Sequence, residues 1–405
     1  MSTEIFKSDN NNTLEKDEET FDSSFFMNDW DDLAEHTDLL RGIYSYGFEK
    51  PSPIQQKGIK PIMQGRDTIA QAQSGTGKTA TFSIGALSLV NTSENNNQVL
   101  ILSPTRELTV QTGKVITSIG SMMKDLRVST VFGGSSTNDN SNFLKKNQSH
   151  VICGCPGRVY DMMRKEMITS KKIKLVILDE ADEMLSSGFK EQVYNIFQYL
   201  DANVQVALFS ATLPIEIFPL INKIMRNPVK ITVKTEELKL DGITQLFIAI
   251  NDDREKYLEL KNIFERISMS QSIIYCNSVK RVMDLYDAMI EDGFPVCCLH
   301  SNMSPEEREK TFHSFKSGSE RVLISSNVTA RGIDVQQVSI VINFDVPKDP
   351  HTYLHRIGRS GRWGRKGCGI NLITRRDIPK IKEIEEYYNC SINEMPPDFN
   401  FLNQK

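Results

Sequence analysis

The chain has 405 residues, 39% of them hydrophobic and 25% charged, with a formal net charge of −4. That length exceeds what one core organises and suits two domains, while the composition is that of a globular chain with no apolar run near the ~18 residues of a membrane span. A small negative charge excludes a grip on nucleic acid by bulk positive charge, though not a groove built locally from backbone amides and a few arginines.

The start, Met1-Ser2-Thr3-Glu4, has neither a basic segment nor an apolar one, so secretion is not expected. Seven cysteines are an odd number, and none is spaced Cys-x-x-Cys. Cys153, Cys155, Cys297 and Cys298 lie in apolar, strand-like runs, which reads as buried free thiols in a reducing, intracellular compartment.

Taken in chain order, residues 1–24 hold seven acidic and two basic side chains around Asn10-Asn11-Asn12 and read as a disordered acidic tail. From there short β-branched runs alternate with helix-length segments. In a first lobe, residues 25–233, the runs are Thr68–Ala72, Gln98–Ser103, Val128–Phe132, Val151–Cys155, Lys174–Leu178, Gln205–Phe209 and Lys230–Val233. Residues 234–242 are charged, lack a core-facing pattern and read as a linker. In a second lobe, residues 243–405, the runs are Ile243–Ile250, Ser272–Cys276, Pro295–Leu299, Arg321–Ser325, Val338–Phe344 and Cys368–Ile373. This alternation predicts an α/β fold of parallel sheets with crossover helices, whose ligands gather at the carboxyl ends of the strands.

Three motifs carry chemistry. Ala72-Gln73-Ser74-Gly75-Thr76-Gly77-Lys78-Thr79 follows a predicted strand. Its small residues let backbone N–H groups close on phosphate oxygens at a helix N-terminus. Lys78 adds a point charge and Thr79 a hydroxyl for magnesium. Ala72 stands where the strict pattern has glycine. The strand Leu175-Val176-Ile177-Leu178 delivers Asp179 and Glu180 at its tip, one to hold magnesium partly through water, the other to deprotonate an attacking water. Adjacent acids after a strand are commonly a solvated turn, but the phosphate loop upstream reverses that preference. In the second lobe, His355-Arg356-Ile357-Gly358-Arg359-Ser360-Gly361-Arg362 places Arg359 and Arg362 three apart. Alone they read as a basic surface turn; beside a nucleotide they are candidates for arginine fingers. Neither half holds a complete set for phosphoryl transfer, so one ATP site split across two lobes is the economical reading.

The order of these motifs resembles the DEAD-box family of ATP-dependent RNA helicases, over nearly the whole chain from about Asp29. Longer phrases resemble the translation-initiation branch of that family: Gly42-Ile43-Tyr44, Gly47–Ser52, Ile69–Ser74, Ala330–Val338 and Ile392–Pro396. The resemblance implies two RecA-like lobes, ATP and magnesium as cofactors, and RNA-stimulated ATP hydrolysis. It implies that Gln55 reads the adenine edge, Trp30 stacks on the ring with Phe48 nearby, and Gly332 and Asp334 meet the ribose. It implies that Ser210 and Thr212 couple the Asp182 region to lobe closure and that His355 bridges the lobes. For RNA it points to Pro104, Thr105, Arg106, Gly133, Gly134, Pro156, Gly157 and Arg158 in the first lobe, and to Asn277, Arg308 and Ser326 in the second. Backbone-directed contact of this kind suits a single strand without base preference.

Several residues depart from the family pattern: Cys155 for Thr, Ser301-Asn302 for Gly-Asp, Pro305 for Gln, and Asn327 for Asp. All bear on RNA-side or second-lobe loops. The expected function is local unwinding of mRNA leaders in the cytoplasm, by a monomer beside a scaffold protein of the cap-binding complex. The alternatives are a nuclear, ATP-locked RNA clamp of exon-junction type and a ribosomal-RNA processing relative. A non-helicase phosphotransferase is disfavoured because no acceptor pocket is evident in the sequence.

Overall fold

The computed structural model describes residues 23–72, 75–133, 148–186, 188–231, 243–266, 271–327, 338–360 and 367–396. The first lobe's strands are β1 (Thr68–Gln71), β2 (Val99–Leu102), β3 (Val128–Val131), β4 (Val151–Gly154), β5 (Leu175–Asp179), β6 (Gln205–Ser210) and β7 (Val229–Ile231). They lie side by side in the order β3-β4-β2-β5-β6-β1-β7, every pair parallel.

These strands are continuous apolar runs because both faces of the sheet are covered. Along β2 the pleat divides them: Val99 and Ile101 pack with Phe82, Ile84 and Ile116 on one face. Leu100 and Leu102 pack with Met162, Val193 and Leu220 on the other. The helices Pro53–Met63, Lys78–Leu89 and Arg106–Ile119 supply the first layer, and Pro156–Arg164, Lys190–Phe197 and Phe218–Ile224 the second.

The second lobe repeats the plan with β8 (Ile243–Ala249), β9 (Ser272–Tyr275), β10 (Val296–Leu299), β11 (Val322–Ser325), β12 (Ile340–Asn343), β13 (Gly367–Ile373) and β14 (Asn393–Glu394). Their order is β10-β11-β9-β12-β13-β8-β14, again all parallel. All thirteen runs expected from the sequence are strands. The fourteenth, two exposed residues on the edge of β8, has no apolar pattern to announce it. The expected tail up to Asp22 and the linker lie outside the described residues.

Register then positions the site. Gln71 stands opposite Ser210, and Phe209 opposite Asp179, so β1, β5 and β6 end along one edge of the sheet.

Candidate nucleotide and RNA site

The phosphate loop leaves β1 at Ala72, whose N–H donates to Ser210 O at 3.1 Å and extends the sheet edge by one residue. Gly75 and Gly77 have φ of 86° and 107°, the left-handed region that strains any residue with a Cβ. At Gly77 a Cβ would also stand 2.9 Å from Gln55 Nε2 and 3.0 Å from Ser52 Oγ. Those two side chains brace the loop from the preceding helix. Ser52 Oγ donates to Thr76 O at 2.9 Å, and Ser52 N–H donates to Gln55 Oε1 at 2.7 Å. Lys78 opens the next helix and is buried; its Nζ donates to Ala72 O at 2.7 Å, folding the ammonium over the loop. Gln73 and Ser74 lie outside the described residues.

At the adenine end the structure corrects one expectation. Trp30 has no solvent exposure and sits in the lobe-one core, so neither of its faces is open to stack on a base. Its ring lies 6.1 Å from that of Phe48, which is half-buried and packs 4.9 Å from Tyr46. Phe48 is a partly exposed ring at this end, with Trp30 as the wall behind it. Gln55 has its carbonyl on Ser52 and its amide nitrogen against Gly77, so it links this end of the site to the phosphate loop.

The acid cluster follows from β5. Asp179 is buried, and Glu180 N–H donates to its Oδ1 at 3.0 Å. Burial pushes the Asp179 carboxyl up to about 7, the Glu180 charge adds to this, and Lys78 opposes it. Glu180 takes φ of 52°, an unusual backbone for a non-glycine and the kind of local strain found at working sites. Asp182 then collects three donors. Ser210 Oγ and Thr212 Oγ1 each approach at 2.7 Å from the end of β6, and His355 Nε2 lies at 3.0 Å. His355 belongs to the second lobe, on the helix Pro350–Ile357, so one buried carboxylate joins the two lobes. Glu180 Oε2 is 4.0 Å from His355 Nδ1. Arg359 is buried one turn further on and its Nε donates to His355 O at 3.2 Å. Arg362, Gly332 and Asp334 lie outside the described residues.

Thr79 and Asp179 fit magnesium by chemistry. A hydroxyl and a crowded carboxylate are hard oxygen donors, and a carboxyl driven upward by burial and like charge is one that a divalent cation relieves.

On the RNA side, Thr105 caps the helix Arg106–Ile119 by accepting from Leu108 N–H. Gly133 lies beside Arg106, whose Nη2 would be 3.8 Å from a Cβ there. Arg308 reaches across from the second lobe to Glu107, Nη2 to Oε1 at 2.7 Å. Cys155 joins this group through Thr109, Oγ1 to Sγ 3.4 Å. Burial raises its thiol, and the charges of Glu107, Arg106 and Arg308 all bear on it. Pro156 and Gly157 start the next helix, with open space around Gly157 and an Arg158–Asp161 ion pair at 3.4 Å. Gly134 lies outside the described residues.

Two second-lobe residues serve inward. Asn277 donates to Val346 O at 2.8 Å and accepts from Arg356 Nη2 at 2.7 Å, so its amide is committed to the lobe's own framework. Ser326 is buried, its carbonyl accepting from Ser325 Oγ. Sequence reasoning missed Glu107 as the partner of Arg308; an acid in the first turn of a helix reads as a dipole complement, and only its place beside Arg106 could have flagged it.

A buried carboxylate shared by two lobes, beside a phosphate loop and an acidic strand tip, is an arrangement suited to nucleotide hydrolysis. Residues 52–218 match the DEAD/DEAH box helicase model and residues 255–364 the helicase conserved C-terminal domain. The chain belongs to the DEAD-box family of ATP-dependent RNA helicases. It is 52% identical over 359 residues to eukaryotic initiation factor 4A of Cryptosporidium parvum, covering 89% of this chain and 88% of that one. It is 47% identical over 367 residues to the factor of the same name in Caenorhabditis elegans, covering 91% of each. The solved structure of Saccharomyces cerevisiae Dbp5 bound to RNA and ADP BeF3 superposes with a TM-score of 0.86 at 34% identity, covering 93% of this chain and 98% of that one. A Dbp5 variant bound to Nup159, Gle1, IP6 and ADP reaches only 0.61, at 33% identity and coverage of 89% and 95%. A score of 0.86 over 93% of the chain requires both lobes to superpose at once. The lobes of this chain therefore stand as in the first of these structures.

Proposed function

We propose that the chain acts as a translation initiation helicase of the 4A type, coupling lobe closure on ATP and single-stranded RNA to local unwinding of mRNA leaders. The observation that carries the reading is the single carboxylate of Asp182, held by Ser210 and Thr212 from one lobe and His355 from the other. A site of this design is complete only when the lobes meet, so hydrolysis follows closure.

Each residue then has a task. The loop from Ala72 to Lys78 cradles phosphates, and Gln55 ties adenine recognition to the loop through Gly77. Glu180 orients and deprotonates the attacking water. Thr79 and Asp179 hold magnesium, which when bound neutralises charge on the phosphate oxygens. Arg359, with Arg362 beyond it, stabilises the charge that develops on the transferring phosphoryl group. Arg106, the Gly133 turn, Gly157 and Arg158 hold the RNA backbone without reading bases. The mRNA role rests on the initiation-branch phrases and on the names of the similar chains. With it come a cytoplasmic setting, a monomeric enzyme and a scaffold protein of the cap-binding complex.

The test is Glu180→Gln. It should keep ATP and RNA binding, trap a closed ternary complex and lower turnover by roughly 10³, the scale of a lost general base. Near-normal turnover would sink the assignment.

A further inference from the structure

The helix Pro305–Ser317, which carries Arg308 across to Glu107, opens on the run Ser304-Pro305-Glu306-Glu307. Pro305 stands where the family pattern has Gln, and the reaction above gives it no task. The exchange creates a Ser-Pro step, one of three in the chain. Ser103 is buried, and Ser52 donates its hydroxyl to Thr76 O at 2.9 Å beside the phosphate loop. Ser304 is the exposed one, with exposed Ser301 and Asn302 before it and exposed Glu306 and Glu307 after it.

The hydroxyl oxygen of Ser304 serves the helix as an acceptor. It accepts from Glu307 N–H at 3.2 Å, while Ser304 N–H donates to Glu307 Oε2 at 2.9 Å. Proline has a fixed φ and no N–H. A binding groove that offers no acceptor just after the serine therefore takes proline without loss and rejects residues whose N–H it would leave unpaired. Arg308 lies four residues on, the spacing at which helix side chains meet, and its N–H donates to Ser304 O at 3.0 Å. Burial and the Arg308 charge lower the His300 imidazole and Glu307 opposes them, so both charges gather at the turn before the helix. Arg308 meets Glu107 through one nitrogen and one oxygen, Nη2 to Oε1, a weaker hold than the two-point grip that a guanidinium takes on phosphate.

We propose that Ser304 is a phosphorylation site for a proline-directed protein kinase, and that the phosphate draws Arg308 away from Glu107 and so loosens lobe closure. The inference rests on the reading that the lobes close on ATP and RNA. In the step, Ser304 Oγ attacks the γ-phosphorus of the kinase's ATP. The bond from that phosphorus to the β,γ-bridging oxygen breaks, ADP leaves, and the hydroxyl proton passes to a base of the kinase. The serine gains about two negative charges at neutral pH, one helical turn ahead of Arg308. Arg308 then has a strong partner within its own lobe, whereas its present one belongs to the other lobe. A charge that favours the separated lobes over the closed pair shifts the equilibrium between them.

The test incubates the full chain with a purified mitogen-activated protein kinase and ATP, and maps the phosphate by mass spectrometry. The expected result is phosphate on Ser304 in the wild type and none there in Pro305→Gln, which keeps the serine, the acids and RNA-stimulated turnover. The purified phospho-form should bind ATP as before and lose RNA-stimulated turnover by roughly tenfold, the scale of a lost, largely desolvated ion pair. In Glu107→Gln, whose pair with Arg308 is already broken, the same phosphate should add no more than about a twofold loss, since both changes act on one contact. No phosphate on Ser304, or as much of it in Pro305→Gln, overturns the site. Unaltered turnover of the phospho-form, or an equal further loss in Glu107→Gln, overturns its action on closure. RNA-stimulated turnover of the unmodified wild type separates the two readings. Its absence breaks the proposed function, whereas its presence with no phosphate on Ser304 breaks this proposal alone.

Discussion

Replacing Asp179 with asparagine should make the first lobe more stable while abolishing ATP turnover. The carboxyl is buried at the tip of β5, and its environment lifts it from 3.8 to about 7. An acid raised in the folded state contributes stability that is fully present below the unfolded value and is lost as pH rises through the folded one. Above about pH 7 the folded protein therefore carries an ionised carboxylate at a cost with a ceiling on the order of 4 kcal/mol, taking 1.36 kcal/mol per pH unit. Coupling to Glu180 and relaxation of the loop reduce this to about 1–2 kcal/mol. Asparagine keeps the Oδ1 acceptor for Glu180 N–H and removes the charge. For a lobe of this size the gain corresponds to roughly 2–8 °C in Tm. The measurement is thermal unfolding with EDTA present, at about pH 8 and about pH 5, where more than half of the advantage should have gone. Magnesium with ATP should narrow the difference by stabilising the wild type alone. A variant no more stable at the higher pH, or equally advantaged at both, would refute the reasoning.

Other outcomes follow from single contacts. Arg356 is wholly buried, and its direct partners are the amide oxygens of Asn327, Asn277 and Asn343 and the carbonyl of Asp345. Burial pulls its guanidinium down to about 10. Asn327→Asp should put a carboxylate where the buried guanidinium now has a neutral acceptor, forming an ion pair, and raise second-lobe stability by about 1–3 kcal/mol in urea unfolding; an unchanged or lower midpoint counts against this. Gly77→Ala should reduce ATP affinity by about tenfold or more with the circular dichroism spectrum intact, since the left-handed backbone and the Gln55 amide both oppose a Cβ. Glu107→Gln breaks the cross-lobe pair with Arg308. ATP affinity should hold while RNA-stimulated turnover drops roughly tenfold, the scale of a lost, largely desolvated ion pair; full turnover would show that the pair does not support closure.

The strands were legible because a doubly covered parallel sheet needs uninterrupted apolar runs, and Leu175–Leu178 is one. The phosphate loop was legible because the backbone found at Gly75 and Gly77 favours glycine strongly. What escaped depends on contacts distant in sequence. Trp30 has a ring suited to stacking, and nothing local tells that the 3₁₀ turn Trp30–Leu33 folds it into the core. Gln55 carries an amide suited to adenine, but its contact with Gly77 arises only when the helix Pro53–Met63 packs on the loop. Asn277 looked available until Arg356 claimed its oxygen. Opposite charges such as Glu107 and Arg308 are too common in sequence to be paired without the fold.

The place of β1 within its sheet bears on how the protein is made. Its neighbours are β6 and β7, the last two strands of the lobe to be synthesised. Asp67, just before β1, fixes Val206 N–H from 139 residues away in the chain. Such non-local pairing folds slowly, and an unpaired strand edge on a ribosome-bound chain invites association with other chains. The phosphate loop emerges early but stays without its flanking strands until the chain past Ile231 has left the ribosome. The nascent protein therefore gains even the first lobe's share of its ATP site late, near the moment when the second lobe begins to appear.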